Sequence, residues 1–209
     1  MRADDAGRSR PWFVVVEGLD GAGKSTLVQA LRATFGAEIL SSSNAISAEV
    51  RDACERKHGL RGTSRQLFYA YSVSLTSDGA GRALHGGTNV IADRYWASTI
   101  AYPRVLGDAT DAIEGVAATL LTPTLTLFLD VPRAIRAARI ETRGGAAHGI
   151  DAASLEQHDA LRQAYMDAFQ TPGIVGELEI IAADRGREEV LARACDAIRR
   201  ITQRGGLVP

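Results

Sequence analysis

Along the chain, short apolar runs alternate with longer stretches in which apolar residues recur every three or four positions. The runs at residues 12–17 (WFVVVE), 37–40 (AEIL), 89–93 (NVIAD), 125–131 (LTLFLDV) and 177–181 (ELEII) read as five strands. Their apolar residues are consecutive, as in strands covered on both faces of a parallel sheet. Helical periodicity covers residues 24–34, 47–57, 64–84, 112–120, 132–142, 154–169 and 188–202, and Pro132 is well placed to open a helix. Strands separated by helices predict βαβ units and hence an α/β fold. One segment breaks the rhythm: residues 143–151 (RGGAAHGID) are small and glycine-rich, a composition that resists fixed structure until something binds it. They read as a mobile lid.

Composition narrows the class. A chain of 209 residues with 45% hydrophobic content supports one core, hence one domain over residues 11–204. A disordered tail precedes it at 1–10, and the tail at 205–209 resembles a cleavage-site linker at its end. The 24 basic and 25 acidic residues nearly cancel, so no global field draws in a nucleic acid polymer or an anionic membrane. Cys54 and Cys195 lack CxxC spacing, and His58, His85 and His158 show no metal-ligand spacing. Neither a signal peptide nor a membrane-spanning run is legible, so a cytoplasmic protein is expected.

The sharpest chemistry lies between the first strand and the first helix. Gly18 to Ser25 (GLDGAGKS) satisfy G-x-x-x-x-G-K-[ST] in the strand-to-helix context that motif requires. The glycines let the backbone aim its N–H groups inward, and the helix N-terminus adds partial positive charge, which together make a nest for phosphates. Asp20, Gly21, Ala22, Gly23, Lys24, Ser25 and Thr26 are therefore the candidate ATP-binding residues. Lys24 is one of two lysines in an arginine-rich chain. A compact ammonium follows the β- and γ-phosphates where a planar guanidinium is too bulky, which explains the exception. Ser25 is the candidate Mg²⁺ ligand, with Asp93 at the end of the third strand as its carboxylate partner. Arg94 beside it offers a bidentate fork for an acceptor phosphate.

The stretches VIADRYWASTIAY (residues 90–102), VVVEGLDGAGKST and LFLDVP together resemble the thymidylate kinase family, and the resemblance runs from about Trp12 to the last helix. It implies a three-layer P-loop NTPase sandwich, a five-stranded parallel sheet flanked by helices with a small lid. It also implies Mg²⁺-dependent transfer of the ATP γ-phosphate to a nucleoside monophosphate, thymidylate or a related pyrimidine nucleotide, by a homodimer. Lys24, Asp93 and Arg94 take catalytic roles on that resemblance. Phe68 stacks on the acceptor base, while Ser98 and Tyr102 belong to the acceptor pocket; Tyr165 matches a tyrosine of the family that packs after the lid.

The same comparison exposes departures. In LFYAYS, Ser72 stands where the family carries a base-reading arginine, and SSSNAIS (residues 41–47) replaces a loop that supplies another arginine, leaving Arg51 as its substitute. In the lid, HGID (residues 148–151) puts Gly149 in place of a third, so Arg143, with Arg139, must neutralise the phosphates. Each lost charge-assisted contact costs about 1.5–3 kcal/mol. Two competing readings follow. One is a deoxynucleoside kinase in which Glu17, at the mouth of the first strand, deprotonates a 5′-hydroxyl. The other is a non-catalytic nucleotide-binding regulator. GTPase chemistry is disfavoured because the chain has no N/T-K-x-D guanine motif.

Overall fold

The computed structural model of the chain describes residues 10–42, 45–107, 111–144, 155–171 and 173–204. The terminal tails, Arg143's side chain and the expected lid from residue 145 onward lie outside the described residues.

Five strands form one all-parallel sheet: β1 (Phe13–Gly18), β2 (Glu38–Ser41), β3 (Val90–Asp93), β4 (Leu125–Asp130) and β5 (Glu177–Ala182), in the order β2-β3-β1-β4-β5. Each begins and ends within one residue of the run that announced it. Register pairs Val16 with Asp93, Glu17 with Phe128 and Ser41 with Asp93, so the C-terminal ends of β1, β2 and β3 lie side by side. Ligands bind at this edge in open α/β sheets.

β1 shows why the strands read as unbroken apolar runs. Val14 and Val16 enter one core with Leu27, Val28, Leu31 and Ile198; Phe13 and Val15 enter the other with Val73, Trp96, Leu161, Tyr165 and Phe169. Successive side chains point to opposite faces, and each face is covered by helices, so no position needs to be polar. Full burial of one such side chain stabilises by about 1.5–3 kcal/mol.

Helices α1 (Lys24–Phe35), α2 (Ala48–His58) and α3 (Gly62–His85) lie near their expected bounds. So do α6 (Arg133–Gly144) and α8 (Arg187–Arg204), while α7 (His158–Phe169) covers the second part of the stretch predicted from residue 154. Residues 112–120 do not form one helix. A 3₁₀ turn (Asp111–Ile113) leads into the single turn α5 (Glu114–Ala117), followed by tight turns in which Thr119 and Leu120 N–H donate to Val116 and Ala117 O. Gly115 in the middle weakens any longer helix. The unexpected element is α4 (Trp96–Leu106), which contains Pro103 and carries Ser98, Thr99 and Tyr102. Among the described residues no helix is long and apolar enough to cross a membrane.

Candidate active site

The phosphate loop takes backbone conformations that only glycine adopts cheaply. Gly18, Gly21 and Gly23 have φ of 148°, 82° and 100°. A Cβ on Gly18 would come 2.9 Å from the carbonyl oxygen of Leu129, so β1 and β4 approach too closely there for any side chain. The Ala22 N–H closes the turn on Leu19 O at 3.1 Å. Lys24 bends back so that Nζ donates to Leu19 O at 3.0 Å and lies 4.0 Å from Asp20 Oδ1. Its ammonium is buried, and burial first, then the Arg94 charge, bring its pKa down to about 7. Ser25 Oγ donates to Asp93 Oδ2 at 3.1 Å. A hydroxyl and a carboxylate this close are the oxygen donors Mg²⁺ takes from protein when phosphate and water complete its shell, so the residues present fit the ion.

Arg94 is the only non-glycine residue at positive φ (68°) among the described residues. That conformation is strained for a residue with a Cβ. It persists because the Arg94 N–H is fixed on Val16 O at 3.0 Å and the guanidinium is held on every side. Nη1 donates to Tyr165 Oη at 3.1 Å and Gly18 O at 3.4 Å; Nη2 pairs with Asp20 Oδ1; and the guanidinium carbon lies 5.2 Å from the centre of the Tyr102 ring. Asp20 Oδ2 accepts from Tyr102 Oη at 2.6 Å. Burial pushes the Asp20 carboxyl up, but Arg94, Lys24 and the Tyr102 hydroxyl outweigh it and hold the pKa at about 2.

Glu17 does not offer an open carboxylate. It is wholly buried: Oε1 accepts from Tyr95 N at 2.8 Å and Ser98 N at 3.3 Å, while Oε2 accepts from Ser98 Oγ and from Tyr165 Oη at 3.4 Å. A base must reach its acceptor hydroxyl. Glu17 instead anchors the start of α4, an occupied position unlike the open base expected of it, and Ser98 is the other half of that anchor.

Two cavities flank the loop. One of about 760 Å³ is lined by Gly23, Thr26 and Leu27 below, Ile135, Arg139 and Thr142 on α6, and Arg185, Arg187 and Leu191 near α8. The other, about 190 Å³, is lined by Asp20, Arg94, Ser98, Thr99 and Tyr102 on one wall and Ser42, Arg65, Tyr69 and Val73 on the other. A small polar cavity made by Asp20, Gly21, Gly23, Lys24, Ser25, Asp93 and Arg94 shares residues with both.

The structure thus brings together Asp20, Lys24, Ser25, Asp93, Arg94, Ser98 and Tyr102. Three expected acceptor residues stand elsewhere. Ser72 is buried and donates Oγ to Ser42 O; Phe68 meets Tyr69 edge-on at 5.6 Å without lining the cavity; Arg51 on α2 has Nε 3.8 Å from Asp52 Oδ1. The reason is helix register: the face of α3 turned to the cavity is Arg65, Tyr69 and Val73, at i, i+4 and i+8. That stripe is visible in the sequence once the cavity says which face to follow. Arg139 donates to the loop carbonyls of Gly21 and Ala22 and to Ala183 O at 2.8 Å.

The family model described as thymidylate kinase matches residues 16–193. The thymidylate kinase of Oenococcus oeni is 30% identical over 204 residues, covering 90% of this chain and 94% of its own. A probable thymidylate kinase of Pyrobaculum aerophilum is 28% identical over 200 residues, covering 91% and 98%. Among solved structures, the thymidylate kinase of Candida albicans superposes with a TM-score of 0.72 over 94% of this chain and 93% of its own at 19% identity, a likeness of fold.

Proposed function

Since this chain belongs to the thymidylate kinase family, and is a phosphotransferase of the nucleoside monophosphate kinase kind, we propose that it moves the γ-phosphate of ATP onto the 5′-phosphate of a pyrimidine nucleoside monophosphate. The observation that supports this most is the pair of cavities, about 760 and 190 Å³, that converge on one glycine-turned loop beside the buried Lys24 ammonium and the part-buried Arg94 guanidinium. The larger takes the donor nucleoside against Leu27, Arg139 and Leu191; the smaller takes the acceptor between α3 and α4.

Phosphoryl transfer between two anions asks the protein chiefly to align them and neutralise their repulsion. The Gly21 and Gly23 amides and Lys24 hold the donor's terminal phosphates, and Arg94 holds the acceptor phosphate in line with them. Ser25 and Asp93 would hold Mg²⁺, which would supply positive charge to screen the phosphates. The acceptor oxygen is already anionic, so no strong base is needed, in keeping with an occupied Glu17. A flat base fits between Tyr69 and the Thr99–Tyr102 wall, where Arg65 supplies the only guanidinium that α3 presents to the cavity among the described residues.

The test is acceptor-dependent ADP release with a panel of pyrimidine and purine monophosphates and nucleosides at matched Mg²⁺. Pyrimidine monophosphates release ADP and nucleosides do not. Release with nucleosides alone would establish the deoxynucleoside kinase reading, and ATP binding with no release for any acceptor would establish the regulatory one.

A further inference from the structure

Helix α6 reaches under the phosphate loop with two arginines. Arg139 donates to Ala22 O at 3.1 Å and Gly21 O at 3.4 Å, and Arg136 Nε donates to Asp20 O at 2.7 Å. A trans peptide sets its carbonyl and the following N–H on opposite sides of the plane. Fixing the Asp20 carbonyl toward α6 therefore aims the Gly21 N–H away from it, into the small polar cavity. The packing leaves little slack: a Cβ on Gly21 would come 3.1 Å from Arg136 O and 3.2 Å from Ile140 Cγ1.

Arg136 is itself wholly buried, and its Nη1 lies 2.7 Å from Nδ1 of buried His158 at the start of α7. A guanidinium has only donors, so Nδ1 must carry the lone pair and the imidazole is neutral, with its proton on Nε2. The charged groups around His158 are Arg136 and Arg133 on α6, Asp130 at the end of β4, and Asp159 on α7; Asp130 is also held by Arg162 at 2.7 Å. Burial first, and Arg136 next, lower the His158 pKa.

We propose that Arg136 and His158 are a positioning pair for the phosphate loop: neutral His158 holds the Arg136 guanidinium in the orientation that fixes the Asp20–Gly21 peptide and aims the Gly21 amide at the donor's phosphates. This rests on the reading of the loop as an ATP site. It couples α7, the helix that follows the glycine-rich segment, to the donor's binding strength. A proton on His158 removes the acceptor and sets two cations face to face, so the pair fails in acid.

The experiment measures Mg·ATP affinity of the full chain between about pH 4.5 and 8 for the unaltered protein, His158→Asn and His158→Phe. An asparagine carbonyl replaces Nδ1 as acceptor and does not titrate; phenylalanine keeps the bulk and loses the acceptor. At about pH 8 the asparagine variant binds within about threefold of the unaltered protein and the phenylalanine variant about tenfold more weakly. Towards about pH 4.5 the unaltered protein loses at least about threefold relative to the asparagine variant, the loss setting in below the ordinary imidazole range because the His158 pKa is lowered. Titration of Lys24 and of ATP is common to all three, so the ratio reports His158 alone. A ratio that stays flat with pH, or a phenylalanine variant that binds as the unaltered protein does, overturns the proposal. Thermal melting identifies a phenylalanine variant that fails to fold, in which case the asparagine ratio decides. An unaltered protein that binds no ATP at any pH overturns the donor-site reading instead.

Discussion

Lys24 is a basic side chain whose protonation the site itself controls. Burial and the Arg94 charge depress its pKa from 10.5 to about 7, and the arrival of a triphosphate works in the opposite direction. At about pH 8 the lysine is largely neutral before ATP binds and charged afterwards, so binding takes up close to one proton. Well below the depressed pKa the lysine is already charged and the uptake vanishes. Calorimetry in buffers of different ionisation enthalpy reads this directly. Lys24→Ala abolishes the uptake along with most of the affinity; unchanged uptake in that variant would assign the proton to another group.

At the scale of elements, β1 and the phosphate loop were plain in the sequence because their information is local: a β-branched run, three glycines and a lysine at fixed spacing. Helix α4 was not. Its residues include Trp96, Thr99, Ile100 and Pro103, poor helix formers, and its start is anchored by Glu17, 78 residues earlier in the chain. On the acceptor side Arg94, Ser98 and Tyr102 line the smaller cavity, but the expected α3 residues do not, for a related reason. Phe68 and Ser72 sit where the family motif places base contacts, yet the face of α3 turned to the cavity is decided by how that helix packs on β2 and α4, which no local pattern states. Glu17→Ala leaves the Tyr95 and Ser98 N–H groups without their acceptor and costs about 3 kcal/mol in urea unfolding. Glu17→Gln, which keeps one acceptor oxygen, loses less. Were Glu17 the catalytic base after all, the glutamine variant would keep its stability and lose turnover by orders of magnitude.

For the whole molecule, the two cavities touch the loop at different residues, Gly23 at the larger, proposed donor cavity and Asp20 with Arg94 at the smaller, proposed acceptor cavity. Binding defects in one should leave the other intact. Arg65→Ala raises KM for the acceptor about tenfold and leaves KM for ATP within about twofold, read from steady-state ADP release. Equal effects on both substrates would place Arg65 outside the acceptor pocket.

The clasp of Asp20 on Arg94 bears on which molecules are admitted. The guanidinium gave up most of its hydration when the chain folded, and on the proposed reading a tethered carboxylate already sits where a visitor's anion would go. A phosphorylated guest can dislodge that tenant and inherit a dry, oriented partner, while the evicted carboxylate still has the Lys24 ammonium within 4.0 Å. An uncharged nucleoside of the same outline brings nothing to dislodge it with, so the threshold is guarded by the protein's own negative charge.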